Sequence, residues 1–283
     1  MYEPEWLFPA FRDEIASVLR DSDGRASIIA GGTDLAPRIR SGEDRPGVLV
    51  DITRVEELGR LSVGERIDLG ATVTHARVAS DAALAEAAPV LADACRVVGS
   101  PQIRSRGTVG GNAANASPAA DAVTALLALD ADVVLESTEG PRAVALADFL
   151  RGPGQTNAGA GEYLTHVSFA RPPRGARGVY LKAGQRNAMA IAIASVAAVY
   201  EPEAGRVRIA LGSVAPTAVR ATGAETLFAE GAPGAVDRDL VVAVAKEATA
   251  AASCIDDVRA SSVYRTILVR ALTERALETI CLS

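Results

Sequence analysis

The chain is short of the residue types that build disulfide frameworks, metal cages and nucleic-acid surfaces. Its three cysteines, Cys95, Cys254 and Cys281, lie far apart in 283 residues and show no C-x-x-C spacing. They support neither a disulfide framework nor an iron–sulfur or zinc site. The two histidines, His75 and His166, have no second histidine or carboxylate at ligand or triad spacing, so both read as structural residues. Lys and Arg number 29 against 35 Asp and Glu, a net charge of −6. Without a basic excess, nucleic acid is not the expected partner. No apolar run approaches the roughly 20 residues that cross a bilayer. Met1-Tyr2-Glu3-Pro4-Glu5 lacks a basic leader followed by an apolar core, so a cytoplasmic protein is expected. Internal repeats, the G-x-G-x-x-G fingerprint and the Walker A pattern are also missing.

What the chain does have is a pair of double-glycine segments. Ala30-Gly31-Gly32-Thr33-Asp34-Leu35 follows the apolar run Ala26-Ser27-Ile28-Ile29, and Thr108-Val109-Gly110-Gly111-Asn112 leads into the alanine-rich stretch Ala113 to Leu129. A diphosphate can be wrapped by backbone N–H groups only where no Cβ intervenes and where φ can turn positive, which is what glycine permits. Thr33 and Thr108 add hydroxyl donors, and a helix over Ala113 to Leu129 would add the positive end of its dipole. A Gly-Gly pair alone is most often a tight turn. Two of them converging on one point would make a diphosphate cradle.

Three runs carry a family likeness: Ile29 to Pro37, Gln102 to Asp121 (QIRSRGTVGGNAANASPAAD) and Leu211-Gly212-Ser213-Val214-Ala215-Pro216-Thr217. They resemble the FAD-binding medium subunit of molybdenum hydroxylases, such as bacterial xanthine dehydrogenase and aerobic carbon monoxide dehydrogenase, and the resemblance spans nearly the whole chain. It implies an α+β fold: a two-part FAD-binding domain of the PCMH type over residues 1–172, then a small domain over 177–283 with a three-stranded antiparallel sheet packed by helices. It implies non-covalent FAD held by Ile28, Ile29, Ala30, Gly31, Gly32, Thr33, Asp34, Leu35, Val98, Thr108, Gly110, Gly111 and Asn112. Asp121, Leu164 and Lys182 are implied near the isoalloxazine. No residue of this chain is implied as a catalytic acid or base. The molybdenum cofactor would sit on a large partner subunit and the 2Fe-2S clusters on a small one, with NAD, a quinone or oxygen as final acceptor. One departure stands out: in Arg186-Asn187-Ala188-Met189-Ala190-Ile191, Ala190 replaces the family's usual acidic residue.

The pattern of apolar residues agrees with two parts. Phe11, Ile15, Val18 and Leu19 lie at helical spacing, then come strand candidates near Ile28 and at Val48 to Ile52, a small β-α-β beginning. Further strands are expected at Ile67 to Ala71 and Val133 to Glu136, around helices near Leu84 to Val98 and Ala119 to Leu129. Arg-Pro-Pro-Arg-Gly at 171–175 marks a linker. Beyond it come strands at Val179 to Ala183, Ala192 to Tyr200 and Val207 to Val214, then helices at Asp237 to Ser253 and Val258 to Leu282. In the last helix Tyr264, Ile267, Leu268, Ala271 and Leu272 form one apolar stripe, expected in the core. Two other readings stay open: a stand-alone FAD-dependent oxidoreductase, which would need a positioned base, and a scaffold that has lost its cofactor.

Overall fold

The structure, a computed structural model, describes residues 3–186, 188–232 and 236–282. The N-terminal strand Glu5–Leu7 is short. The helix Arg12–Asp21 buries Ile15 and Ala16 and returns the chain to Ala26–Ile29. These two strands flank Val48–Asp51, and all three run parallel. Val48, Leu49 and Val50 are buried in succession, as a central parallel strand covered on both faces requires.

A second, antiparallel sheet follows, in the order Leu61–Val63, Arg66–Gly70, Tyr163–Ala170, Asp132–Ser137, Gly140–Ala145. Its central strand arrives last in sequence and carries a register shift between Leu164 and His166. A bulge there twists the strand and re-aims the side chains beside it. The Thr165 hydroxyl donates to the Val134 carbonyl at 3.1 Å, and the Thr165 carbonyl accepts from Ala71 N–H at 2.8 Å. Both partners hold the irregularity in place.

The expected three-stranded antiparallel sheet is formed by Arg177–Ala183, Ala194–Glu201 and Arg206–Gly212, and the two-residue strand Val219–Arg220 extends its edge. One face packs on the helices Thr222–Gly231, Arg238–Ala248 and Ser262–Cys281. The other face, with Tyr180, Ala197, Val199 and Ala210, joins the core under Pro89–Arg96 and Asp121–Ala128. Burial on both faces explains the almost unbroken apolar run from Ala192 to Val199.

Three expectations need correction. The stretch Ala113 to Leu129 is not one helix: Val109–Ala114 ends at Asn115, Ala116 takes φ +45°, and helix resumes at Asp121–Ala128. The break is held from outside, since the Ala116 carbonyl accepts from Gly154 N–H and the Pro118 carbonyl from Ser213 N–H. The helix near Leu84 to Val98 likewise divides into Ala82–Ala87 and Pro89–Arg96, because Pro89 starts a new helix. The largest correction concerns the last helix. Its buried face is Arg265, Val269, Thr273, Ala276, Leu277 and Ile280, whereas Tyr264 is 49% exposed, Ile267 is 59% exposed and Ala271 is exposed too. Arg265 sets this rotation. Its guanidinium donates to the carbonyls of Ile193 at 2.5 Å and Ser213 at 2.8 Å, and to Asp257 Oδ1 at 2.7 Å. An arginine placed inward to satisfy two strand-end carbonyls turns Tyr264, Ile267 and Ala271 toward solvent, while Leu268 and Leu272 of the expected stripe still pack, partly buried, on the core. The helix Thr222–Gly231, absent from the sequence-based expectations, fills the space beside the edge strand.

Candidate functional site

The two glycine segments meet. A Cβ on Gly31 would lie 2.1 Å from the Arg106 carbonyl oxygen and 2.9 Å from the Gly107 Cα, so the first segment rests directly on the lead-in to the second. Gly107 in turn lies between Thr33 and His75, within 3.4 Å of the Thr33 Oγ1 measured from an added Cβ. The second segment is anchored behind: His75 N–H donates to the Gly107 carbonyl at 3.0 Å and Val109 N–H to the Val73 carbonyl at 2.9 Å. A Cβ on Gly110 would strike Ala71 at 2.6 Å. Gly31 and Gly110 are therefore required for backbone packing, while Gly32 takes φ +68° and serves the turn itself. Gly110 and Gly111 do not form a turn; they lie in the first turn of Val109–Ala114, capped by Thr108, whose hydroxyl accepts from Gly111 N–H at 3.0 Å.

Among the described residues the amides of Gly31, Gly32, Thr33, Asp34 and Gly110 donate to no protein acceptor. Backbone donors left unpaired together are costly unless a ligand or water takes them up. They border a cavity of about 630 Å³, within the range of small-molecule and cofactor sites. Asn112 also lines it, and its Oδ1 is buried without a donor among the described residues.

At another part of the wall stands Asp121, the first residue of the helix Asp121–Ala128. Its carboxylate accepts from the Tyr180 hydroxyl at 2.5 Å and from the Lys182 ammonium at 2.8 Å, and Lys182 also donates to the Val97 carbonyl at 2.8 Å. Burial raises the carboxyl's pKa, and the bonds from Lys182 and Tyr180 work against that rise. Burial beside Asp121 pushes the Tyr180 phenol well above its ordinary value, so it stays a proton donor. His75 shares the wall. Burial and the charge of Arg104 lower its pKa to about 4, so at neutral pH it presents a neutral imidazole, with Nδ1 3.5 Å from the buried Cys95 thiol.

The structure brings Ile28, Ile29, Ala30, Gly31, Gly32, Thr33, Asp34, Leu35, Val98, Thr108, Gly110, Gly111, Asn112, Asp121 and Leu164 to the cavity wall. Leu164 is delivered by the bulge in the central strand. Lys182 is the exception: it stands behind Asp121 and reaches the wall through that carboxylate. Sequence reasoning missed His75, Arg38, Asn115, Met189 and Ile191 and noted Ala190 only as a departure from the family; all six border the cavity. Asn115, inside the specific run Gln102 to Asp121, could have been found; His75 and Arg38 carry no local signal.

A run of unpaired amides from the first glycine segment and the Gly110 amide from the second border one cavity, between a parallel β-α-β layer and an antiparallel sheet, a donor set of the class that suits a diphosphate-linked dinucleotide. The comparisons narrow this class. The family described as FAD binding domain in molybdopterin dehydrogenase matches residues 2–172, and CO dehydrogenase flavoprotein C-terminal domain matches 179–280. The chain is 31% identical over 264 residues to the 6-hydroxypseudooxynicotine dehydrogenase complex subunit alpha of Paenarthrobacter nicotinovorans, covering 92% of this chain and 88% of that one. It is 30% identical over 277 residues to the carbon monoxide dehydrogenase medium chain of Hydrogenophaga pseudoflava, covering 96% and 95%. Among solved structures, carbon monoxide dehydrogenase from Hydrogenophaga pseudoflava superposes with a TM-score of 0.92 at 29% identity, covering 98% of each chain. Quinoline 2-oxidoreductase from Pseudomonas putida 86 gives 0.91 at 30% identity, covering 99% and 97%. This chain belongs to the FAD-binding subunits of the molybdenum hydroxylase family, and is the flavoprotein component of an oxidoreductase. The residues present fit FAD: unpaired amides for a diphosphate, an orphaned carboxamide oxygen, and apolar walls from Ile28, Val98 and Leu164.

Proposed function

We propose that this chain is the electron-transfer subunit of a cytoplasmic three-component molybdenum hydroxylase. A large partner subunit carries the molybdenum cofactor and a small one the 2Fe-2S clusters, and electrons leave this chain for a final acceptor. When bound, FAD supplies the redox chemistry that exchanges one-electron delivery for two-electron discharge. The protein's part is to bind, orient and exclude water. Gly31, Gly32, Thr33, Asp34 and Gly110 offer N–H donors to the diphosphate, while the Thr33 hydroxyl is engaged with the Asp34 carboxylate. Val98 and Leu164 supply apolar wall, while Asp121, backed by Lys182 and Tyr180, presents a fixed carboxylate. A carboxylate held by an ammonium and a phenol contributes a preorganised field without acting as a base.

The convergence of the unpaired amides of residues 31–34 and of Gly110 on one cavity is the observation that carries this reading. Ile255, Val258, Val263, Tyr264 and Ile267, close together in sequence and all exposed, are consistent with the assembly, since neighbouring exposed apolar side chains suit a surface that another chain covers. Among the described residues no group of His, Cys, Asp and Glu could hold a metal ion, and no described helix is long and apolar enough to cross a membrane.

Purification from the native host tests the proposal. We expect a flavin absorbance spectrum, FAD in the supernatant after denaturation, and two co-purifying chains, one with molybdopterin and one with iron and labile sulfide. A colourless chain that neither retains nor rebinds FAD would refute the flavin role. A yellow chain that purifies alone and turns over small donors would refute the assembly.

A further inference from the structure

Beside the amide arrays four side chains form a continuous polar chain between the two glycine segments. Asp34, directly after Gly32-Thr33, accepts from the Thr33 hydroxyl at 3.0 Å with one carboxylate oxygen and from Asn115 Nδ2 at 3.3 Å with the other. Asn115 closes the helix Val109–Ala114 that begins with Gly110-Gly111. Its Oδ1 accepts from Arg38 Nη1 at 3.0 Å, and Arg38 Nε donates to Asp44 at 2.7 Å. The loop to Asp44 is itself folded back onto Arg38, whose carbonyl accepts from Glu43 N–H at 2.9 Å and Asp44 N–H at 3.3 Å. Asp34, Arg38, Asp44 and Asn115 all border the cavity.

The arrangement answers a physical need. Residues 31–34 make no backbone hydrogen bond through their own amides among the described residues, so backbone pairing does not fix this segment. Glycine adds conformational freedom that must be removed before a ligand can use the array. Asn115 is suited to the task because one carboxamide donates to the first segment and accepts from the arginine on the next turn.

We propose that Asp34, Asn115, Arg38 and Asp44 are a clasp that holds the two glycine segments in register, so that Asn115 and Arg38 are positioning residues for the diphosphate half of FAD. The inference rests on the FAD-binding reading above. It assigns affinity for the diphosphate to side chains that touch both glycine segments as well as to the glycines.

The test is a donor–acceptor swap in the full chain, stripped of flavin and titrated with FAD and, separately, with ADP, which carries the diphosphate without the isoalloxazine. Asn115→Asp keeps the size and the acceptor toward Arg38 but sets a carboxylate against Asp34. We expect it to weaken FAD and ADP by the same factor, about tenfold or more, as for a hydrogen bond to a charged group. The melting temperature of the apo chain should stay within about 2 °C, a shift below ~1 kcal/mol for a chain of this size. The double variant Asp34→Asn with Asn115→Asp restores one donor and one acceptor, and should return both affinities to within about threefold of the parent, less than ~0.7 kcal/mol. The clasp is overturned if Asn115→Asp binds both ligands as the parent does, if the double variant recovers nothing, or if affinity falls only in step with thermal stability. A parent chain that binds neither FAD nor ADP would instead overturn the FAD reading, and the clasp with it.

Discussion

Replacing Lys182 by methionine removes one ammonium and leaves the Asp121 carboxylate in a site where the two side chains are only 11% and 9% exposed. Methionine fills nearly the same volume, so the loss is electrostatic. Breaking a buried pair from one side costs about 3–5 kcal/mol, because the remaining charge is uncompensated. At about 2–4 °C per kcal/mol for a chain of this size, the melting temperature should fall by roughly 6–20 °C at neutral pH. The pH dependence has a definite sign. Asp121 already titrates above its ordinary value because of burial, and the two effects of Lys182 that lower it disappear in the variant. A carboxyl raised in the folded state binds its proton more tightly there than in the unfolded chain. Its stabilising contribution is therefore present below the unfolded pKa of about 3.9 and is lost as pH rises through the folded pKa. Lys182→Met should accordingly be least stable relative to the parent near neutrality and should regain part of the deficit as pH falls toward the carboxylate range. Adding Asp121→Asn removes the orphaned charge and should recover most of the loss, with a coupling of up to about 3 kcal/mol in the cycle. Scanning calorimetry of the four apo chains at several pH values measures all of this. A single variant that melts with the parent at every pH, or a double variant no better than the single one, would refute the view that this pair ties Asp121 to the C-terminal sheet.

Other perturbations follow from the same geometry. Gly31→Ala places a methyl 2.1 Å from the Arg106 carbonyl oxygen, and should abolish FAD retention with a loss of several kcal/mol in stability; Gly154→Ala, with nothing within 4 Å of the added carbon but φ +70°, should cost only about 1–2 kcal/mol and leave FAD bound. Arg265→Met strips two strand-end carbonyls of their donor and should destabilise by about 3–5 kcal/mol in urea unfolding. Ile267→Ser, on the exposed side of the last helix, should move urea stability by less than about 0.5 kcal/mol while reducing recovery of the partner subunits in a pull-down. Cys95, buried and with its pKa pushed well up by that burial, should resist a thiol reagent in the folded chain, and rapid labelling there would contradict its placement behind His75.

Much of the site was legible because its chemistry is local. A short parallel strand ending in Gly-Gly-Thr-Asp and a second Gly-Gly capped by threonine announce an anion cradle, since only glycine lets backbone approach backbone and ligand so closely. The same local character made the β-α-β beginning and the three long C-terminal strands readable from apolar spacing. What could not be read was the function of each glycine: two of the four meet other parts of the backbone, at Arg106 and Ala71, partners that only folding supplies.

Spacing of apolar residues identified the last helix but not its inward face, because two stripes about a third of a turn apart have the same period. The choice fell to Arg265, whose partners Ile193 and Ser213 lie 72 and 52 residues away. Lys182, expected beside the cofactor, stands one carboxylate back, and His75, which has no motif around it, is brought to the wall by its bond to Gly107. Residue type and short-range spacing thus determined that the chain has two glycine segments able to bring backbone close to a ligand, no metal-ligand spacing, and most of its strands and helices. Tertiary structure decided that these segments share one cavity, which charges are turned inward, and which apolar side chains stay exposed, because each of those depends on contacts between residues far apart in sequence.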